Sequence, residues 1–282
     1  QKEMFAGGVL AAANHIASFC DTVGVLTCIG SDREKNYETF INEKLKPNVE
    51  RFFVYTKEAP TIVKRRFVES YPFQKLFETY TMDDELANDD VASFCKQLLE
   101  LIPSYDCVLV TDYGHGVIGS EAVSILCREA PFLAVNTQVN AGNHGFCTVS
   151  KYASAHFVSI SEKELRLEAR NRRGPLYDIM REVAEKLSCP QFLVTRGGEG
   201  CICYKKGEGF FKVPAFTTKV VDRVGSGDAL FAISSLCALE GMPIEAVGLV
   251  ANAVGAQAVM IVGNKTSIER HSLLKHLESL LK

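Results

Sequence analysis

Val221-Asp222-Arg223-Val224-Gly225-Ser226-Gly227-Asp228-Ala229-Leu230-Phe231 joins three small residues to an acid and then to an apolar run. The run has the composition of a buried helix over 226–239, so Gly225, Ser226 and Gly227 form the turn that opens it. Successive backbone N–H groups in such a turn, added to the positive end of the helix, converge on one point and make an anion cradle. An acid in the first helical turn stands where a hydroxyl would lose its proton as phosphate arrives. The same residues also suit a plain glycine turn in which Asp228 only favours the helix dipole. No Lys follows the last glycine, so this is not a Walker A loop, and the spacing is not that of a dinucleotide fingerprint.

On both sides of this loop, short apolar runs alternate with helical patterns. Strands are expected at 23–29, 107–110, 132–135, 156–160 and 191–195, with a hairpin across 200–213. Helices are expected at 8–19, 37–45, 91–101, 120–129, 176–187, 226–239, 244–259 and 267–281. This alternation implies an α/β fold with a mostly parallel central sheet and helices on both faces. Ligands of such sheets bind beyond the carboxyl ends of the strands. Asp112-Tyr113-Gly114, Asn136-Thr137-Gln138, Thr195-Arg196-Gly197-Gly198 and Asp222 fall at those ends.

Between 49 and 82 the pattern changes to period two, as in Thr61-Ile62-Val63-Lys64-Arg65-Arg66-Phe67-Val68, with Pro60 and Pro72 as punctuation. A strand-rich insert in a helix-rich chain predicts a small β-lid at 49–82, set into a core made of 1–48 and 83–282. In the lid Tyr71, Phe73, Phe77 and Tyr80 offer either a cover for substrate or a lid-to-lid surface between two copies.

Apolar residues make up 47% of the 282 and charged residues 23%, the balance of an ordinary globular protein. A net charge of −3 gives no electrostatic reason to expect nucleic acid, and Lys64-Arg65-Arg66 runs into Phe67 and Val68 as a strand does. Ten cysteines are scattered without a CxxC pair, which fits free thiols in a reducing cytoplasm. Six histidines lack ligand spacing, so no structural zinc is expected. The first residues, from Gln1, do not read as a signal peptide. The uncharged stretch 246–264 approaches the length of a membrane span but holds Asn252, Gln257 and several glycines. A buried helix is expected there, with no membrane contact.

Beyond the residues themselves, VVDRVGSGDALFA resembles the C-terminal signature of the ribokinase-like (PfkB) carbohydrate kinases, DTxGAGD ahead of a helix. Gly7-Gly8 before an Ala-rich helix resembles their N-terminal signature. The likeness runs in order through the lid insert, Thr111-Asp112-Tyr113-Gly114-His115-Gly116, Ser161-Glu162 and Thr195-Arg196-Gly197-Gly198-Glu199-Gly200. Within the family the chain looks most like the kinase domain of bifunctional heptose-phosphate kinase/nucleotidyltransferase proteins. Pro60-Thr61-Ile62-Val63-Lys64-Arg65 and the 111–116 segment carry that closer likeness.

The resemblance implies a ribokinase-like fold and an enzyme that moves the γ-phosphate of ATP onto a sugar or sugar-phosphate hydroxyl. It implies Asp228 as catalytic base and Gly225, Ser226 and Gly227 as the anion hole. It assigns Thr195, Gly197, Gly200 and Asn252 to the nucleotide, and Gly8, Lys64, Asp112 and Asn136 to the substrate side. Glu162 would order Mg2+ through water, and Asp222 would help to hold a monovalent cation such as K+. A homodimer through the lid is one of the two expectations that the lid aromatics raise, beside a cover for substrate.

The sequence also departs from the family pattern. Ala11 stands where the first signature has a sugar-binding Asn, and Ser159 where NxxE has its Asn. Asn136-Thr137-Gln138 replaces a DPK tripeptide, and Arg223 replaces the Thr of DTxGAGD. The family's first strand should precede the glycine pair by some tens of residues, which implies polypeptide ahead of Gln1. The phosphoryl end is thus nearly intact and the sugar end altered. That leaves a catalytically silent domain serving assembly or regulation, and a nucleoside kinase, as alternatives to the sugar kinase.

Overall fold

A computed structural model of the chain describes residues 2–32, 35–70, 73–83, 85–217 and 219–282. The chain begins with α1 (Val9–Ile16), β1 (Val23–Ile29), α2 (Tyr37–Lys44) and β2 (Val49–Tyr55). The hairpin β3 (Val63–Ser70) and β4 (Phe73–Thr81) follows, and then α3 (Asn88–Leu101). Next come β5 (Val108–Asp112), α4 (Ser120–Glu129), β6 (Leu133–Thr137), β7 (Phe157–Ser161), α5 (Glu162–Glu168) and α6 (Leu176–Lys186). The remainder is β8 (Gln191–Thr195), β9 (Cys201–Lys205), β10 (Gly209–Val213), α7 (Ser226–Leu239), α8 (Ile244–Ala258) and α9 (Arg270–Leu280).

Six strands form one sheet in the order β10-β9-β8-β7-β6-β5. Pairing is parallel from β5 to β8 and antiparallel where β9 and β10 turn back on the edge. Both faces are buried, and the period of two sorts them. Leu133 and Val135 of β6 and Phe192 and Val194 of β8 pack with α3, α4 and α6. Ala134 and Leu193 point the other way, into a core shared with α7 and α8. Burial on both faces is why these strands read as continuous apolar runs instead of alternating ones.

β1 and β2 pair in parallel with each other, and among the described residues neither joins the six-stranded sheet. A cavity of about 3100 Å3 is lined by β1, β5, α1 and α7 and extends to Asp228. The expected lid is narrower than 49–82. β3 and β4 form the antiparallel hairpin, with a register shift at Phe67/Val68. β2 instead pairs with β1, and its Val54 is buried in the same core as α3. A half-apolar period-two run serves equally well beside a core strand or in a free hairpin, so the pattern alone could not tell them apart. Tyr71 and Pro72 lie outside the described residues. Among those described, no helix is long and apolar enough to cross a membrane.

Candidate active site

Helix α7 starts at Gly225, whose φ of 77° lies in the left-handed region. A side chain there would also collide with Asn264 Oδ1, so the position needs glycine for two reasons. No side chain caps this helix. Its first backbone bond runs from Ala229 N–H to Gly225 C=O, which leaves the first-turn amides of Gly227 and Asp228 beyond it. A Cβ on Gly227 would meet nothing within 4 Å. The glycine is therefore not required by protein packing, and the space beside it is open. Ser226 turns its hydroxyl back to Arg223 C=O at 2.9 Å, away from the role of a donor to that space.

Asp228 is buried in the first turn and lines the large cavity. Its Oδ1 accepts from Tyr113 O–H at 3.0 Å and from Gln138 Nε2 at 2.5 Å. Burial pushes the carboxyl up to about 6, against the pull of these two hydrogen bonds and of Lys64 and Arg66. Lys64, from β3, lies 5.2 Å from the ring centroids of both Tyr80 and Tyr113. Burial, then the nearby Arg66, holds its ammonium below the ordinary value. Gly8, with a φ of 59°, is packed so closely that a Cβ would stand 3.3 Å from Cε2 of Tyr113. The lid, the α1 turn and the ends of β5 and β6 therefore meet around one carboxylate.

The remaining expected substrate-side residues line the same cavity but are engaged by the protein. Asn136 donates to Ser159 C=O at 2.6 Å and accepts from Gln138 Nε2 at 3.1 Å. Asp112 is 2% exposed, and its carboxylate is held by Lys151 at 2.5 Å, by Tyr152 O–H at 2.7 Å and by Gly114 N–H at 3.0 Å. Its place at the end of β5 is as expected, and its charge is spent on a buried ion pair. Asp222 braces the glycine turn, accepting from Val224 N–H at 3.0 Å and Gly263 N–H at 2.8 Å.

A second cavity, of about 960 Å3, opens beside the first and shares Ser161 and Thr195 with it. Glu162, Gly197 and the basic residues Lys163, Arg166, Arg170, Arg172 and Arg196 line it. Glu162 accepts from Arg166 Nε and Arg196 Nε, both at 2.8 Å. Arg196 first, and then Arg166, holds its carboxyl below the usual range. Two expected nucleotide residues lie elsewhere. Gly200 allows the turn into β9 to pass close to Val213, where a Cβ would strike that residue's carbonyl. Asn252, buried in α8, donates to Val213 C=O at 3.1 Å and to Cys201 Sγ at 3.3 Å. It lines neither cavity.

Sequence reasoning did not single out Tyr113 or Gln138 as site residues. Both lie inside quoted segments, and each follows directly on the carboxyl end of a parallel strand, which is the signal that would have found them. Arg196 carried the same signal, at the end of β8, whereas Asn264 and Arg166 did not.

The architecture is ribokinase-like. Escherichia coli phosphofructokinase-2 in complex with potassium superposes with a TM-score of 0.78 at 16% identity, over 98% of this chain and 87% of that one. Arabidopsis thaliana ribokinase complexed with ribose and ATP gives 0.69 at 19% identity, over 95% and 86%. The model of the pfkB family of carbohydrate kinases matches residues 2–270, and the chain belongs to that family. Among its relatives are the bifunctional proteins HldE of Koribacter versatilis, 26% identical over 279 residues, and of Bradyrhizobium diazoefficiens, 25% identical over 286. The matches cover 96% and 98% of this chain but 55% and 56% of those proteins, so the chain spans about half their length.

Proposed function

We propose that the chain transfers the γ-phosphoryl group of ATP to a hydroxyl of a sugar or sugar phosphate, with Asp228 as general base. The observation that carries this reading is the buried carboxylate beside an uncapped, glycine-opened helix start. Among the described residues, the hydrogen bonds to it, from Tyr113 and Gln138, fall on Oδ1 and not on Oδ2. In the step, Asp228 takes the acceptor proton as the acceptor oxygen bonds to the γ-phosphorus and the bond to the ADP oxygen breaks. The anion hole expected at Gly225, Ser226 and Gly227 has the Gly227 amide open, while the Ser226 N–H donates to Arg223 C=O at 3.4 Å; amides at a helix start stabilise charge on phosphoryl oxygens without reorganisation. A carboxyl titrating near 6 is largely ionised at neutral pH and still basic enough to accept a proton.

The arginine-lined cavity is the place proposed for the nucleotide phosphates, since five cations face one carboxylate there. Thr195 and Ser161 line both cavities, which supports transfer between the basic end and Asp228. Glu162 fits magnesium through water better than directly, because two guanidiniums already share its charge. When bound, magnesium neutralises phosphate charge and orients the leaving group. Asp222 fits the brace of the glycine turn, and a potassium ion nearby would act on that turn's charge. Free cysteines throughout the described chain support a reducing, cytoplasmic setting.

The test is a screen of sugars, sugar phosphates and nucleosides for ADP release, run with the wild-type chain and with Asp228→Asn. Turnover on a sugar or sugar phosphate is expected, and the variant should lose about 10² to 10⁴ in kcat. Turnover only on nucleosides moves the substrate class. No turnover on any acceptor, with nucleotide bound, leaves the silent-domain reading.

A further inference from the structure

Gln138 closes the Asn136-Thr137-Gln138 segment in which the sequence departs from DPK, and its backbone and its carboxamide nitrogen are both engaged. Its backbone N–H donates to Asp112 C=O at 2.9 Å, and its C=O accepts from Asn143 Nδ2 at 2.7 Å. Its carboxamide nitrogen has two protons. One goes to Asn136 Oδ1 and the other to Asp228 Oδ1. Asn136 is in turn fixed on Ser159 C=O. A relay of amides thus runs from β7 through β6 to the first turn of α7.

Tyr113 reaches the same oxygen from β5. Its backbone C=O accepts from Asn140 Nδ2 at 2.8 Å and Asn143 Nδ2 at 2.9 Å, so Asn143 binds the backbones of both Asp228 donors. The asparagine-rich loop after β6 acts as the clasp that joins the two strand ends.

We propose that Gln138 and Tyr113 are positioning residues for Asp228. They hold the carboxylate by Oδ1, keep it ionised in a buried place and leave Oδ2 to take the acceptor proton. What the carboxylate does once held rests on the kinase reading; how it is held does not. Burial alone would drive Asp228 to bind a proton, and a neutral acid is no base. Hydrogen bonds donated to the charged form offset that cost. Lys64 and Arg66 of the lid help by charge, so the sheet donors and the lid cations are the groups that act on this carboxyl. Gln138 supplies a hydrogen bond with no charge of its own.

The test uses the full chain and reads Asp228 directly, through the 13C resonance of its carboxyl, assigned by its loss in Asp228→Asn. The wild-type midpoint is expected at about 6. Tyr113→Phe and Gln138→Met should each raise it by about one pH unit, because each removes one donor to the charged form. Gln138→Lys should lower it, because it restores a donor and adds a positive charge. A merely structural role predicts the reverse for the first two, since loosened packing admits water and returns the carboxyl toward 3.8. Unmoved or lowered midpoints in Tyr113→Phe and Gln138→Met overturn the proposal. In turnover, a one-unit rise should cost about fivefold in kcat/KM at pH 6 and almost nothing at pH 8.5. Midpoints that move as expected while the acid limb of kcat/KM stays put support the positioning role and overturn Asp228 as the base.

Discussion

Burying an ionised carboxylate costs free energy, and at Asp228 that cost has a sign that stability measurements read. Its folded value of about 6 lies above the ordinary 3.8, so the native state holds the proton over a range where the unfolded chain has lost it. The contribution to stability is complete below pH 4 and is lost as pH rises through 6. About two pH units correspond to about 3 kcal/mol. Asp228→Asn keeps an oxygen for Tyr113 and Gln138 and carries no charge. Relative to wild type it should gain up to about 3 kcal/mol between pH 4 and pH 8. Denaturant unfolding at both pH values measures the gain, and equal differences at the two would show that the folded carboxyl is not raised. A residue that costs stability and carries the proposed turnover would match the usual opposition between the two.

The lid shows how one element serves two surfaces. Because strand neighbours alternate, Lys64 and Arg66 face opposite Tyr80 and Glu78, while Phe67 stacks on Phe77 with centroids 4.3 Å apart. The first set faces Tyr113 and Asp228, with Arg66 paired to Glu78 at 3.2 Å. The second is exposed, at 41% for Phe67 and 54% for Phe77. Two exposed rings on a hairpin with little core beneath it are the part of the lid that a second copy would cover. Phe77→Glu should leave the melting temperature within a few degrees and shift the protein to a smaller species in sedimentation. A wild-type chain that stays monomeric at every concentration would remove the lid-to-lid dimer.

Over the whole molecule, the two cavities place a basic region and the buried carboxylate of Asp228 on either side of Ser161 and Thr195. Nucleotide binding only to the folded state stabilises it by mass action. Magnesium ATP at about 100 times its dissociation constant should add about 2.7 kcal/mol and raise the melting temperature by several degrees. Arg196→Ala should cut this gain, since the guanidinium faces the proposed phosphate site and holds Glu162. A melt that millimolar nucleotide does not move would take the nucleotide out of the reading. The large cavity also runs between β1 and β5, each with one strand partner among the described residues. Packing there is looser than through the two-faced core of β6 to β8.

Local pattern was enough wherever one element's own periodicity or chemistry decided the outcome. The strands at Val23–Ile29 and Gln191–Thr195 and the helices at Ser120–Glu129 and Ser226–Leu239 lie where apolar spacing put them. The glycine turn and its acid were legible because glycine is the residue that suits the left-handed turn at 225 and because the acid follows three residues later in the first turn. α5 was not legible, since seven residues with five charges show no apolar stripe. Its start is set by the Ser161–Glu164 capping box. Pairing was decided by the tertiary structure alone. Nothing in the run Val49–Tyr55 says that its neighbour is β1, and nothing in Asp112 says that Lys151 neutralises it. Gln138 and Tyr113 meet Asp228 across 90 and 115 residues of chain. A sequence states each side chain's chemistry; only the fold sets the distance between two of them, and hydrogen bonds and charge interactions depend on distance.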